Sequence, residues 1–146
     1  MLLKILILLH LVGAAVWVGG HLVLALSVLP KALREKNPEV LKSFEERYEK
    51  AGIPSLVLQA VTGLWIASIY VSPAEWFSFS DRAHIHIGLK LIFLSATLLL
   101  AVHARLFIIP VLNTKNLPWL ALHIVMMTII ALAMLFTGFN FRMEVL

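Results

Sequence analysis

Four apolar runs, at residues 2–29, 53–71, 85–112 and 117–138, are each long enough to cross a lipid hydrocarbon core, which takes about 20 residues of helix. Inside that core no water satisfies backbone N–H and C=O groups, so a spanning segment must satisfy them itself, and runs of this length predict helices. The runs nearly exhaust the 146-residue chain and leave short connections between consecutive spans. They predict one domain over 1–146, an all-α integral membrane four-helix up-and-down bundle with sequential helices as neighbours. A hydrophobic content of 61% and a mean hydropathy of +0.95 agree, since a soluble domain is about half apolar. The first run continues past the usual length of a signal-peptide core, and no small-residue cleavage pattern closes it, so it is expected to remain as the first helix.

A net charge of +4 suits nucleic acid only where the cations cluster on a solvated face, and here they follow the spans instead. Six of the twelve Lys and Arg residues (Lys31, Arg34, Lys36, Lys42, Arg47 and Lys50) lie between the first and second spans, and Arg105 and Lys115 lie at or near the third connection. Lys4, Arg82, Lys90 and Arg142 belong to the opposite side. The positive-inside rule then predicts both termini outside and the charged connection in the cytoplasm. The expected surroundings are a lipid bilayer with no nucleic-acid partner, and the oligomeric state stays open. Within the charged connection, "KNPEVLKSFEERYEKAG" predicts a short helix over about 38–50, with Asn37 as cap, Pro38 at the first position and Gly52 as terminator. Val40, Leu41, Phe44 and Tyr48 recur at helical spacing, which lays this helix on the membrane surface or makes it an extension of the second span.

The chain contains six histidines and no cysteine. Disulfides, thiolate metal sites and covalent c-type haem attachment are therefore excluded, and any metal chemistry rests on His, Met or carboxylate. Ionisable groups inside a span are functional candidates by default, and His10, His21 and His103 lie well inside. His10 and His21 are eleven residues apart, about three helical turns plus 20°, and so share a face about 16 Å apart along the axis. Counted at about 1.5 Å per residue from the inner ends, His21 and His103 have similar depths, about 13 and 15 Å. This is what two axial ligands of one haem on facing helices need. His10 with the "HIH" pair, His84 and His86, forms a second, less matched set in the outer half. His123 is open to three roles: a hydrogen bond across the bundle, a haem ligand, or a soft Cu(I) site with Met126 or Met127. Gly13, Gly19 and Gly20 leave room for a flat macrocycle, or for close helix packing. Gln59, Thr62 and Gly63 form a polar patch that orients a ligand imidazole or hydrogen-bonds between helices.

The stretches "LHLVGAAVWVGGHLVLALSVLP", "TGLW", "GLKLIFL" and "HARLFIIP" together cover nearly the whole chain and resemble the copper-resistance D (CopD) family of bacterial inner-membrane proteins. His10, Trp17, Gly19, Lys90, His103 and Arg105 stand at family-like positions, and the resemblance implies copper handling across the membrane. A more distant similarity, carried by His10, Trp17, Gly19, Lys90 and His103, is to the HemJ-type protoporphyrinogen oxidases, four-helix membrane proteins that bind haem b. This chain lacks the acidic motif expected near the fourth helix of that group, and the implication taken from it is haem alone.

The resulting expectation is a haem b-binding protein like a b-type cytochrome, with His21 and His103 as metal ligands and His10 with His86 or His123 supplying further ligation. Bis-histidine ligation fills both axial positions and so favours electron transfer over oxygen binding. A membrane quinone or another redox protein is the expected electron partner. The alternative is a copper transporter or copper-binding membrane protein using the same histidines and the methionines.

Overall fold

A computed structural model describes residues 1–145, with side chains described for 1–143. Four long helices run through it: α1 (Leu2–Glu35), α2 (Glu39–Tyr70), α3 (Arg82–Val111) and α4 (Leu117–Val145). There is no strand among the described residues, and each of the four helices is long and apolar enough to cross a membrane. The chain is a multi-pass, all-α membrane protein. One end of the bundle carries both termini and the 71–81 connection; the other, here the basic end, carries the 36–38 turn and the 112–116 loop.

α1 and α3 each meet a proline near the basic end, and both pass it by the same device. Pro30 and Pro110 lack the N–H that would bond four residues back, and the pyrrolidine ring crowds that carbonyl. A wider π turn precedes each, at Leu24–Val28 in α1 and at Ala104–Ile108 in α3. It admits the ring and keeps the helix going. α1 then ends at Lys36, in the left-handed conformation (φ 49°). The Asn37 side chain accepts from the Glu39 N–H at 3.0 Å, as expected of a cap. At the other end, Asp81 caps α3 by accepting from the His84 N–H at 3.1 Å.

The segment expected as a short helix over 38–50 is the first part of α2, which runs on through Gly52 and Pro54. Gly52 is not a terminator. The Tyr48 ring lies between Gly52 and Gly20 of α1, and a methyl group would meet that ring at 2.7 Å on Gly52 and at 2.1 Å on Gly20. The Tyr48 hydroxyl reaches the carbonyls of Val16 (3.1 Å) and Trp17 (3.2 Å). Gly13 makes a second close approach of the same pair of helices, facing the Ser55 carbonyl and Gln59. Lipid tails are as apolar as leucine, so such intimate backbone contact, rather than hydrophobic burial, holds helices together in a bilayer. The glycines of α1 serve packing at Gly13 and Gly20, while Gly19 faces open space.

α1 packs along α2, and α3 along α4, but α2 and α3 barely touch. The buried core is accordingly discontinuous. One cluster at the basic end joins Leu29, Leu41, Ile108, Leu112 and Leu120. A second, at mid-bundle, joins Trp17, Val18, Leu56, Met127 and Ala131, and a third at the terminal end joins Ala67, Val71 and Ile87. Between the second and third clusters the four helices leave a gap.

Candidate cofactor cavity

The gap is a cavity of about 410 Å³, to which all four helices contribute. Its walls are apolar, with Trp17, Leu64, Leu94 and Met134 among them, and its polar side chains are few. A volume of this order falls in the usual range of small-molecule sites, roughly 300–1,000 Å³. Histidines from two helices line it: His10 of α1 and His86 of α3. Lys90, one turn on from His86, and Arg142 of α4 line it as well.

His10 is oriented by α2. Its Nδ1 lies 2.8 Å from the Gln59 carbonyl oxygen and 3.2 Å from Thr62 Oγ1. The Thr62 hydroxyl itself donates to the Leu58 carbonyl at 2.6 Å, so both neighbours of Nδ1 act as acceptors. The proton therefore resides on Nδ1, and the Nε2 lone pair is left to bind a ligand. The ring rests over Gly63, where a methyl group would lie 2.9 Å from Cε1. The polar patch of Gln59, Thr62 and Gly63 thus orients an imidazole, through the Gln59 main chain and not its amide.

Lys90, a cationic wall group, extends across to α4, where a Cβ on Gly138 would meet its Nζ at 2.8 Å. By charge distribution Lys90 belongs with the outer-side cations; the structure places it in α3, lining the cavity. A lysine inside the apolar run "IGLKLIFL" was the available signal, because an ionisable residue within a span faces the protein interior. His86 meets the Phe141 ring edge-on, with centroids 5.8 Å apart.

The remaining candidates lie elsewhere. His21 is buried beneath Trp17, with ring centroids 4.4 Å apart, and its Nδ1 donates to the Trp17 carbonyl in its own helix at 2.9 Å. Tyr48 closes the other side of that ring at 6.0 Å. His10 and His21 do share a side of α1, but Trp17 stands between them, lining the cavity while its ring packs at a tilt against His21. His103 is joined to His123 of α4, and not to His21: His103 Nδ1 and His123 Nε2 are 2.9 Å apart. The depth count set His103 and His123 at different levels, but the rings stack at 5.0 Å. Met127 packs in the mid-bundle cluster with Trp17 and Leu56. Among the described residues no three or more His, Asp or Glu side chains converge as a metal site. His84 pairs with Asp81 in the loop that starts α3, its Nδ1 2.8 Å from Oδ1.

No protein-family model, curated protein or solved structure matches this chain.

Proposed function

We propose that the chain is a haem b-binding membrane protein of the b-cytochrome kind, holding its tetrapyrrole in the cavity between the four helices. The observation that carries this reading is the state of His10. Its Nδ1–H is held by acceptors on α2, which leaves Nε2 as a donor atom in an apolar cavity that His86 also lines. A metal-ligating histidine has this arrangement, its second nitrogen bonded to a carbonyl that fixes tautomer and ring orientation. The rest of the wall fits the group as well. Flat apolar surface suits a macrocycle, and Lys90 and Arg142 suit the carboxylates that the macrocycle carries. Bound there, the haem would supply one-electron redox chemistry. The protein's own part is to hold the ring, exclude water and neutralise carboxylate charge. His10 and His86 replace His21 and His103 as the preferred ligand pair.

The test is spectroscopic. Protein produced with an ample haem supply and purified in detergent should show a Soret band and a sharp reduced alpha band. His10→Gln and His86→Gln should each lower haem content or shift the spectrum toward five-coordinate, high-spin iron. Wild-type protein that stays colourless after reconstitution with haem would end this reading.

A further inference from the structure

The His103–His123 pair lies outside the cavity, and its hydrogen bonds run in one direction only. His123 Nδ1 donates to the Trp119 carbonyl at 2.9 Å, which leaves a lone pair on His123 Nε2. His103 Nδ1, 2.9 Å away, must therefore be the donor to it, and the lone pair of that second ring resides on Nε2. The chain from Trp119 through His123 to His103 ends in an acceptor.

The His103 ring lines a small cavity of about 230 Å³ together with Phe107, Ile108, Asn116, Trp119 and His123. Asn116 offers little to a ligand, because its Nδ2 donates to the Val111 carbonyl and its Oδ1 accepts from the Asn113 N–H. Phe107 and Trp119 are largely exposed and present flat apolar surface beside the histidines. The place is the outer flank of α3 and α4, about 9 Å along α4 from its start at Leu117. It therefore opens to lipid close to the water boundary. Two imidazoles turned toward hydrocarbon are costly, and one hydrogen bond between them is a small return.

We propose that this pair binds the head group of a lipid-soluble quinol. The ligand must arrive through the bilayer, present an aromatic ring to Phe107 and Trp119, and donate a hydrogen bond to His103 Nε2. A quinol hydroxyl does all three. The oxidised quinone offers only acceptors and matches the site less well. The site lies toward the basic end, apart from the His10 cavity, and does not depend on haem being bound there.

The protein in phosphatidylcholine nanodiscs, freed of native quinone and kept under argon, is titrated with decylubiquinol and separately with decylubiquinone. Binding is read as the saturable part of tryptophan quenching. Quinol should bind saturably and quinone about tenfold more weakly, the worth of one hydrogen bond. His103→Phe should weaken quinol binding about tenfold by the same arithmetic, with helical circular dichroism unchanged. His123→Phe frees the His103 tautomer and should abolish the preference for quinol over quinone while some binding remains. Trp119→Phe should reduce the quenching amplitude. His10→Gln should bind quinol as wild type does, which separates this site from the haem reading. Should His103→Phe misfold, His103→Leu, which also lacks an acceptor, carries the same expectation. Absence of saturable binding, or affinities indifferent to both histidine variants, would overturn the proposal. So would uptake of one Cu(I) that both variants lose, with no quinol bound.

Discussion

His10 Nδ1 lies 2.8 Å from the Gln59 carbonyl oxygen, and this contact turns a histidine on α1 into a group oriented by α2. Thr62 Oγ1, at 3.2 Å, is the second acceptor on the same nitrogen. Thr62→Val keeps the side-chain volume and removes that acceptor while leaving the Gln59 carbonyl in place. It should weaken haem affinity about tenfold, the low end for loss of a ligand-orienting contact. Haem titration of the apoprotein measures it. Unchanged affinity would mean that the Gln59 carbonyl orients the ring alone.

Gly63 and Gly19 make a matched comparison. A methyl group at Gly63 lies 2.9 Å from His10 Cε1, and the ring is held by α2 and cannot simply swing aside. Gly63→Ala should therefore displace the imidazole and alter the haem spectrum. Gly19 faces open space, so Gly19→Ala should leave the spectrum alone and stabilise α1 by up to about 1 kcal/mol through helix propensity. Spectra and thermal melts of the two variants in the same detergent check both expectations.

His21 shows where reading from sequence stops. Helical periodicity places His10 and His21 on one side of α1, and the structure agrees. What periodicity cannot supply is the neighbour: Tyr48 and Trp17 enclose His21, whereas His10 borders the space that α2 and α3 leave by hardly touching. The four spans were legible because each is a local property of one apolar run. Gly52 reads as a terminator because its local propensity is to break a helix, and contact of Tyr48 with Gly20 and Gly52 overrides it. The Lys90 position was legible in principle, from an ammonium inside an apolar run. The His103–His123 contact was not, since it depends on how α3 and α4 are set against each other beyond the π turn.

It follows that His21→Gln should keep its haem. Glutamine retains hydrogen-bonding capacity, and the histidine's bond to the Trp17 carbonyl is a short-range contact within one helix. The expected loss is about 1 kcal/mol or less of stability, with haem content and the Soret position unchanged. A colourless His21→Gln protein, with His10→Gln retaining haem, would restore His21 as the ligand.

A pH dependence is expected at the start of α3. Asp81 is exposed, and its carboxyl is held below the ordinary aspartate range, first by the hydrogen bond from the His84 side chain and then by the His84 backbone N–H. A depressed carboxylate value means that the cap contributes fully above the unfolded aspartate value, about 3.9, and loses its contribution as pH falls through the lower folded value. Protection of the His84 N–H, read as its exchange rate relative to the intrinsic rate at each pH, should fall on acidification in that window. Asp81→Asn keeps a neutral acceptor and should flatten the dependence. An equally steep profile in that variant would assign the effect to another group.

The last expectation is orientation. The 31–50 stretch holds six Lys and Arg residues, and the connection after α2 reaches only Arg82 before α3 is under way. Basic residues near span ends are retained on the cytoplasmic side, and acidic residues in the same connection weigh little against them. The structure fixes which loops share an end, so one labelled site at each end orients the whole bundle. Ser43 on α2 and Ser78 in the 71–81 connection are both exposed, and the chain has no cysteine of its own. Single cysteines at these two positions, treated with an impermeant thiol reagent on intact bacterial cells, should label at 78 and not at 43. Labelling at 43 alone would invert the bundle and move the His103–His123 site to the outer side of the membrane, where a quinol would be met from the opposite leaflet.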